Sequence, residues 1–316
     1  MFAERRVGKR KQSQDFILSE ISGYCEYRVD PLGNIIAEKK GKSAASKKVM
    51  VSAHMDEVGM IVTSVKSDGT LTVAPIGGID PRVAIGRPVF VGDGDIYGVI
   101  GAKAVHNLSA DEKKTAPKFD ALYVDIGAED KAAAEKLAVP GDFVHFSSEF
   151  TSFGDGYLKA KAIDDRFGCA VMIDLIKSEL PYDCTFTFVV QEEVGLRGSR
   201  AAAYTVDPNF AIVLEATTAA DIPLASGEKR CCELDGGAVV SYMDRSTIYD
   251  RELYGLSREI ASENRIKWQT KTMVAGGNDS GAIHISRGGV RTIAVSAPCR
   301  YLHSPSCTVK LSDLED

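Results

Sequence analysis

Apolar residues recur along this chain in two patterns, as continuous runs and as stripes with a helical period. The runs predict strands at residues 47–54, 185–191, 210–215 and 292–298. Helices are predicted near residues 198–204 and around residues 245–263. A further helix is predicted after Asp165, on a stripe formed by Cys169, Met172, Ile173, Ile176 and Leu180. Strands that alternate with helices in this way are typical of an α/β domain.

The pattern of apolar residues changes between residues 66 and 154. Short strands punctuated by glycine follow one another there, as in SDGTLTVAPIGG and VFVGDGDIYGVIG, and the pair Asp68-Gly69 is a strong hairpin signal. This texture predicts a small β-rich barrel or sandwich. We therefore expect residues 1–65 and 155–316 to form an α/β domain that is interrupted by an inserted β-rich domain at residues 66–154.

Composition and charge exclude several classes of protein. The chain of 316 residues is 44% apolar, which is enough for a large core and is more typical of two domains than of one. Its net charge of −6 argues against a nucleic-acid partner, which would require a basic face. The basic residues 5–11 are interpreted as a solvated terminus in preference to an anion-binding arm.

The apolar runs and the cysteines indicate the cellular compartment of the protein. No run reaches the roughly 18 to 20 apolar residues that span a bilayer, and the N-terminus lacks the apolar core of a signal peptide. The seven cysteines are odd in number and lack C-x-x-C spacing, a pattern that favours buried, reduced thiols over disulfides or a structural zinc site. We therefore expect a cytoplasmic protein with no membrane partner.

Five segments place a histidine or a carboxylate at the end of a predicted strand or in a neighbouring loop. They are VSAHMDEVG with His54 and Asp56, KAIDDRFG with Asp164 and Asp165, VVQEEVG with Glu192 and Glu193, IVLEATTAAD with Glu215, and APCRYLHSP with His303. Because the carboxyl ends of strands in an open α/β sheet line one edge, these groups can converge on one crevice. Imidazoles and carboxylates suit zinc, cobalt or manganese, and one carboxylate can bridge two such ions.

Single residues of this set also have plainer interpretations. A lone His54 is more often a structural histidine, and a lone pair of glutamates is more often a solvated strand end. Their joint occurrence at successive strand ends favours a metal site. His106, His145 and His284 have no such neighbours and are interpreted as structural or surface residues.

Five motifs carry a resemblance to a known family. AHMDEVGM, KAIDDRFGCAV, VVQEEVGLRGSRAA, GGNDSGAIHISRGGVRT and RYLHSP follow one another between about residues 34 and 315. This set resembles metallopeptidase family 42, the dinuclear aminopeptidases that include glutamyl and deblocking aminopeptidases. The resemblance implies an α/β fold, with a mixed-sheet metallo-aminopeptidase (phosphorylase/hydrolase-like) catalytic domain and an inserted small β-barrel domain. It also implies that the protein removes N-terminal residues from short peptides.

The family's metal ligands map onto five residues. His54 and Glu215 resemble the ligands of a first metal, Glu193 and His303 those of a second, and Asp164 the carboxylate that bridges them. The resemblance implies two divalent metal ions, with zinc favoured and cobalt or manganese as alternatives. The position of Glu215 is usually an aspartate in this family, and the peptide bond after the bridging aspartate is often cis.

The catalytic roles fall on two further carboxylates. Glu192 resembles the general base, which takes a proton from a metal-bridging water and returns it to the leaving amine. Asp56 resembles the carboxylate that fixes the imidazole tautomer of His54. Since neighbours on an extended chain point to opposite sides, Glu192 and Glu193 are expected to face the site differently.

The resemblance extends to assembly. In the family the β-rich insert is an oligomerisation module, so we expect a homo-oligomer between a dimer and a twelve-subunit particle; a simple lid is the alternative role for residues 66–154. The alternative functions are a metal-free glycoside hydrolase and a catalytically silent member of the family. The preferred N-terminal residue is left open, with Arg300 and Arg258 as candidate cations for an acidic substrate.

Overall fold

The structure, a computed structural model, describes residues 9–223, 225 and 227–316. The basic residues 5–11, which were predicted to form a solvated terminus, lie outside the side chains that the structure describes. Two compact units divide the chain. The larger unit contains Ser13–Asp56, Phe150–Leu302 and Ser306–Asp316, and the smaller unit contains Glu57–Glu149 and His303–Pro305.

The strands follow one another along the chain between residues 26 and 310. They are β1 Glu26–Val29, β2 Ile35–Lys39, β3 Val49–His54, β4 Gly59–Val65, β5 Leu71–Ile76, β6 Pro88–Val91, β7 Ile96–Gly101, β8 Tyr123–Asp125, β9 Phe143–Phe146, β10 Thr151–Phe153, β11 Tyr157–Ala160, β12 Cys184–Val189, β13 Phe210–Thr218, β14 Ala238–Val240, β15 Trp268–Thr270, β16 Arg291–Cys299 and β17 Cys307–Lys310. The α-helices are α1 Lys9–Ile21, α2 Pro81–Ala84, α3 Lys131–Ala134, α4 Ile163–Lys177, α5 Arg197–Val206, α6 Arg251–Asn264, α7 Ser280–Ile283 and α8 Leu311–Glu315.

The larger unit is built on a mixed sheet of eight strands in the order β1-β2-β12-β3-β13-β16-β14-β15. The four neighbours β12, β3, β13 and β16 are parallel, whereas β2 and β14 pair antiparallel to them. Parallel central strands end at one edge of the sheet, which places the residues that follow them side by side. The predicted mixed α/β fold is confirmed.

Helices cover both faces of this sheet. Phe186 and Phe188 share one face of β12 and pack with Met172 of α4, while Val189 points to the other face and packs with Ala203 of α5. A strand buried on both faces reads as a continuous apolar run, which is why the sequence pattern located these strands. A smaller sheet, β10-β11-β17, completes the unit.

The smaller unit contains a closed six-stranded barrel in the order β4-β5-β8-β7-β6-β9. Its core is formed by inward-facing side chains that include Met60, Leu71 and Ile100. The hairpin predicted at Asp68-Gly69 is confirmed, because Gly69 has a φ of +82° and Val65 pairs with Leu71. The predicted barrel is therefore present as a closed sheet without edges.

Two predicted helices have different ends from those expected. The helix predicted from residue 245 begins at Arg251, because Asp250 caps its first turn by accepting from the backbone N–H groups of Glu252 and Leu253. The helix that was expected to include Leu180 ends at Lys177. A residue directly before a proline avoids the helical conformation, and Leu180 precedes Pro181.

None of the seven cysteines forms a disulfide, and five of them are buried. Among the described residues, none of the helices is both long and apolar enough to cross a membrane.

Candidate metal centre

Three buried side chains meet at the carboxyl end of the central strands. His54 is the last residue of β3, and the register that pairs Val213 with Ser52 places Glu215 of β13 level with it. Asp164 lies at the start of α4. His54 Nε2 is 3.2 Å from Asp164 Oδ1 and 3.7 Å from Glu215 Oε2. The structure therefore brings three of the predicted ligands together, with one donor atom of each within 4.8 Å of the others.

The backbone around Asp164 departs from a regular helix. Asp164 and Asp165 have non-helical φ and ψ angles, and the peptide bond between them is cis, as the family resemblance implies. Asp165 is wholly buried and accepts hydrogen bonds from the backbone N–H groups of His54 at 3.3 Å and Gly168 at 3.0 Å. The two aspartates thus differ in their contacts: Asp164 faces the His54 ring, whereas Asp165 holds the backbone.

Glu192 and Glu193 lie beyond β12 in a turn. Gln191 has a φ of +60°, and the N–H of Gly195 donates to the carbonyl oxygen of Glu192 at 2.9 Å. One carboxylate oxygen of each glutamate lies within 4.8 Å of a ring nitrogen of His54. The chain at this pair is therefore a turn and not extended, and the turn brings both carboxylates near the same imidazole. That the two glutamates face the site differently stays a prediction.

Asp56 anchors this turn. Its Oδ1 accepts the N–H of Glu192 at 3.1 Å, and its Oδ2 accepts the N–H of Glu193 at 3.3 Å. His54 Nδ1 lies 3.1 Å from the carbonyl oxygen of Asp56 and 3.7 Å from its carboxylate. A neutral imidazole donates from one ring nitrogen, so these contacts favour a proton on Nδ1 and leave Nε2 as the ligand atom.

Buried negative charge accumulates around the turn. Burial raises the pKa of Glu192 to about 8; the nearby carboxylates of Asp279 and Glu193 add to this effect, and His54 opposes it. Burial likewise raises the pKa of Glu215. Burial alone would lower the pKa of His54, but the surrounding carboxylates outweigh it and raise that pKa. Burial is thus the main cause of the raised carboxylate pKa values, and the neighbouring carboxylates are the cause of the raised His54 pKa.

The donor atoms fit a divalent cation. Glu215 Oε1 is buried and has no hydrogen-bond partner among the described residues. An unpaired carboxylate oxygen in the interior costs free energy, and a cation bound by His54, Asp164 and Glu215 would pair it. Imidazole nitrogen and carboxylate oxygen are ligands that zinc and related ions accept.

His303, the last predicted ligand, belongs to the smaller unit. Its Nδ1 lies 2.9 Å from the carbonyl oxygen of Gly78. Its role as a ligand stays a prediction. Of the histidines that were set aside, His106 is exposed, and His145 is buried with Nε2 3.7 Å from Asp95 Oδ1.

Sequence reasoning missed Asp279 as a member of the site. Its side chain is wholly buried beside the hydroxyl group of Ser199. Burial raises the pKa of Asp279 to about 6. The available signal was its place in GGNDSGA, one of the segments that carry the family resemblance.

The two candidate cations for an acidic substrate are engaged elsewhere. Arg300 forms two hydrogen bonds, at 2.7 and 2.6 Å, with the nearly buried carboxylate of Asp221. Arg258 lies over the rings of Tyr254 and Trp268, 5.7 and 5.3 Å from their centroids. Both guanidinium groups therefore have partners within the fold.

The chain is similar to known proteins in both sequence and structure. A model of the family described as M42 glutamyl aminopeptidase matches residues 33–316. The lysyl aminopeptidase of Pyrococcus furiosus is 34% identical over 299 residues, which cover 92% of this chain and 83% of that protein. The TET aminopeptidase of a marine sediment Thaumarchaeota archaeon superposes with a TM-score of 0.93 at 32% identity, over 99% of this chain and 90% of that one.

A third relative adds information on assembly. The TET1 peptidase of Pyrococcus horikoshii, which can assemble into a tetrahedron or a large octahedral shell, superposes with a TM-score of 0.85 at 34% identity. The match covers 99% of this chain and 93% of that one.

Proposed function

Since the chain belongs to the M42 glutamyl aminopeptidase family and is an aminopeptidase, we propose that it removes N-terminal residues from short peptides with two divalent metal ions and a glutamate base. The family resemblance found in the sequence is thereby confirmed. The observation that carries the proposal is the buried group of His54, Asp164 and Glu215, next to the turn that bears Glu192 and Glu193.

The ligand roles follow this geometry and the family pattern. His54, Asp164 and Glu215 would hold one ion, and Glu193 and His303 would hold the second, with Asp164 shared between them. When bound, the ions would supply the positive charge that activates water and polarises the scissile carbonyl group. The nitrogen and oxygen donor set favours zinc, with cobalt or manganese as alternatives.

Glu192 is the proposed general base. One oxygen of its carboxylate lies within 4.8 Å of a ring nitrogen of His54, next to the proposed metal ligands, which is where a base that acts on a metal-activated water is needed. Its carboxylate takes the proton from the attacking water and returns it to the leaving amine. Asp56 holds the backbone of Glu192 and Glu193 through both of its oxygens, which limits the movement of the base between these two steps.

The barrel is the proposed oligomerisation module. Tyr97 and Val99 point outward from β7, and Phe143 is exposed at the start of β9. Exposed aromatic and aliphatic side chains favour association with a second copy over an uncovered lid. We propose a homo-oligomer that contains at least a dimer and extends to twelve subunits. A cytoplasmic location belongs to the same proposal, because seven cysteines without C-x-x-C spacing fit a reducing compartment.

Metal analysis combined with a substrate panel tests the proposed function. The purified protein is assayed with aminoacyl chromogenic amides and with a soluble glucan, before and after treatment with a chelator. We expect about two divalent ions per chain, hydrolysis of the aminoacyl amides alone, loss of activity with the chelator and recovery on addition of zinc. Full peptidase activity in metal-free protein, or hydrolysis of the glucan, would contradict the proposal.

A further inference from the structure

Asn34 uses its whole side chain to connect distant parts of the larger unit. It immediately precedes β2 and is wholly buried. Its Nδ2 donates to Asp30 Oδ2 at 2.6 Å and to the carbonyl oxygen of Gly198 at 3.0 Å, and its Oδ1 accepts the N–H of Val190 at 3.0 Å. Both amide hydrogens and the amide oxygen are therefore paired.

Val190 and Gly198 are the two ends of the segment that carries Glu192 and Glu193. The N–H of Gly198 also donates to the carbonyl oxygen of Val190 at 3.0 Å, which closes the segment into a loop. The base of this loop is tightly packed, since a Cβ atom on Gly198 would lie 2.2 Å from Val190 O and 2.5 Å from Asn34 Oδ1. Asn34 thus holds both ends of the loop at once.

The loop is fixed at two places. Asn34 holds its base, and the carboxylate of Asp56 holds the backbone of Glu192 and Glu193 further along. A loop held at one place could pivot about it, whereas a loop held at two places keeps its side chains in one position. That position brings an oxygen of each glutamate within 4.8 Å of a nitrogen of His54.

We propose that Asn34 is a positioning residue for the catalytic pair, and that its amide fixes the base of the loop at the distance from which Glu192 and Glu193 reach the site. The inference rests on the proposed roles of these two glutamates. Asparagine is the side chain of this length that offers two donors and an acceptor in one plane. An aspartate at position 34 would place a carboxylate against Asp30 Oδ2 and the Gly198 carbonyl oxygen.

The first test compares Asn34→Ala with Asn209→Ala. Asn209 is a matched control, because its Oδ1 also accepts a backbone N–H, that of Lys48 at 3.0 Å, at the opposite ends of strands β3 and β13. Each variant is measured for kcat, KM and zinc content at a temperature at which circular dichroism shows it folded. Displacement of a catalytic group by about 1 Å lowers kcat by about a hundredfold, which is the loss expected for Asn34→Ala.

Zinc content is the readout that a purely structural role would leave unchanged. Because Glu193 is a proposed ligand, folded Asn34→Ala should bind less zinc per chain than Asn209→Ala, and its kcat should fall far more than its KM rises. Wild-type kcat and zinc content in folded Asn34→Ala would overturn the inference. Glu192→Gln is assayed in parallel: if that variant keeps wild-type turnover, the proposed function fails, whereas if only Asn34→Ala keeps it, the positioning role alone fails.

A double variant keeps the test decisive if Asn34→Ala does not fold. Asp30→Asn/Asn34→Asp restores a hydrogen bond between positions 30 and 34 but leaves a carboxylate facing the carbonyl oxygen of Gly198. If Asn34 only stabilised the turn at residues 30–34, both stability and kcat should recover in the double variant. That result would overturn the proposal. The positioning role predicts only partial recovery of stability, because the carboxylate at position 34 faces the carbonyl oxygen of Gly198, and a kcat still about a hundredfold low.

Discussion

Replacement of Gly198 by alanine tests how tightly the catalytic loop is closed. The added Cβ atom would lie 2.2 Å from Val190 O, whereas ordinary van der Waals contact begins at 3.4 Å, so the loop must move by about 1 Å. Overpacking of this kind costs about 1–3 kcal/mol of stability. A displacement of about 1 Å at the catalytic pair should also lower kcat about a hundredfold, which corresponds to about 2.7 kcal/mol in the activation barrier.

Gly255→Ala is the matched control for this substitution. Gly255 lies inside α6, and a Cβ atom added there meets no other atom within 4 Å. Alanine is favoured over glycine in a helix interior by about 1 kcal/mol, so this variant should be slightly more stable and fully active. Both variants are assayed by urea unfolding and by kcat on an aminoacyl chromogenic amide. Gly198→Ala with the stability and kcat of the wild type would refute the reasoning.

Three further predictions concern the ligands, a helix cap and the assembly. Asp164→Asn should lower occupancy of both metal sites, whereas Asp165→Asn should lose stability and retain metal; elemental analysis showing two tightly bound ions in Asp164→Asn would contradict this. Hydrogen bonds from Arg291 lower the pKa of Asp250 to about 2, so this carboxylate stabilises the fold above about pH 4, and its contribution is lost as the pH falls toward 2. Asp250→Asn keeps a capping residue, so it should lower the free energy of unfolding by about 1 kcal/mol at pH 6 and by almost nothing near pH 2. Urea unfolding measures both values, and an equal loss at the two pH values would exclude the ion pair as its source. Analytical ultracentrifugation should show at least a dimer that dissociates when residues 66–154 are replaced by a short Gly-Ser loop, and a monomeric wild-type chain at micromolar concentration would contradict the assembly proposal.

The sequence predicted those parts of the fold that depend on local pattern. The central strands are buried on both faces, so their apolar runs were conspicuous, and polar residues such as His54 stood out where the runs ended. The barrel was predicted from glycine spacing and from the turn at Asp68-Gly69. These signals lie within a few residues of the structure that they predict.

Features that depend on distant contacts were not predicted. Asn34 bonds to Gly198, which lies 164 positions further along the chain, and no local pattern records that pairing. The turn at Glu192 is set partly by Asp56, another distant residue, so the sequence did not show that the chain at the two glutamates is a turn and not extended. The ion pair that engages Arg300 has the same origin, because Asp221 lies on a different segment.

The central claim is that Glu192 moves the proton while its neighbour binds metal. Its most direct test measures kcat and metal content together in Glu192→Gln and Glu193→Gln. The account predicts that Glu192→Gln keeps both metals but loses about a hundredfold to ten-thousandfold in kcat, since general-base catalysis contributes that much. Glu193→Gln should lose metal as well as activity. Near-normal turnover in Glu192→Gln, with its metals in place, would contradict the account.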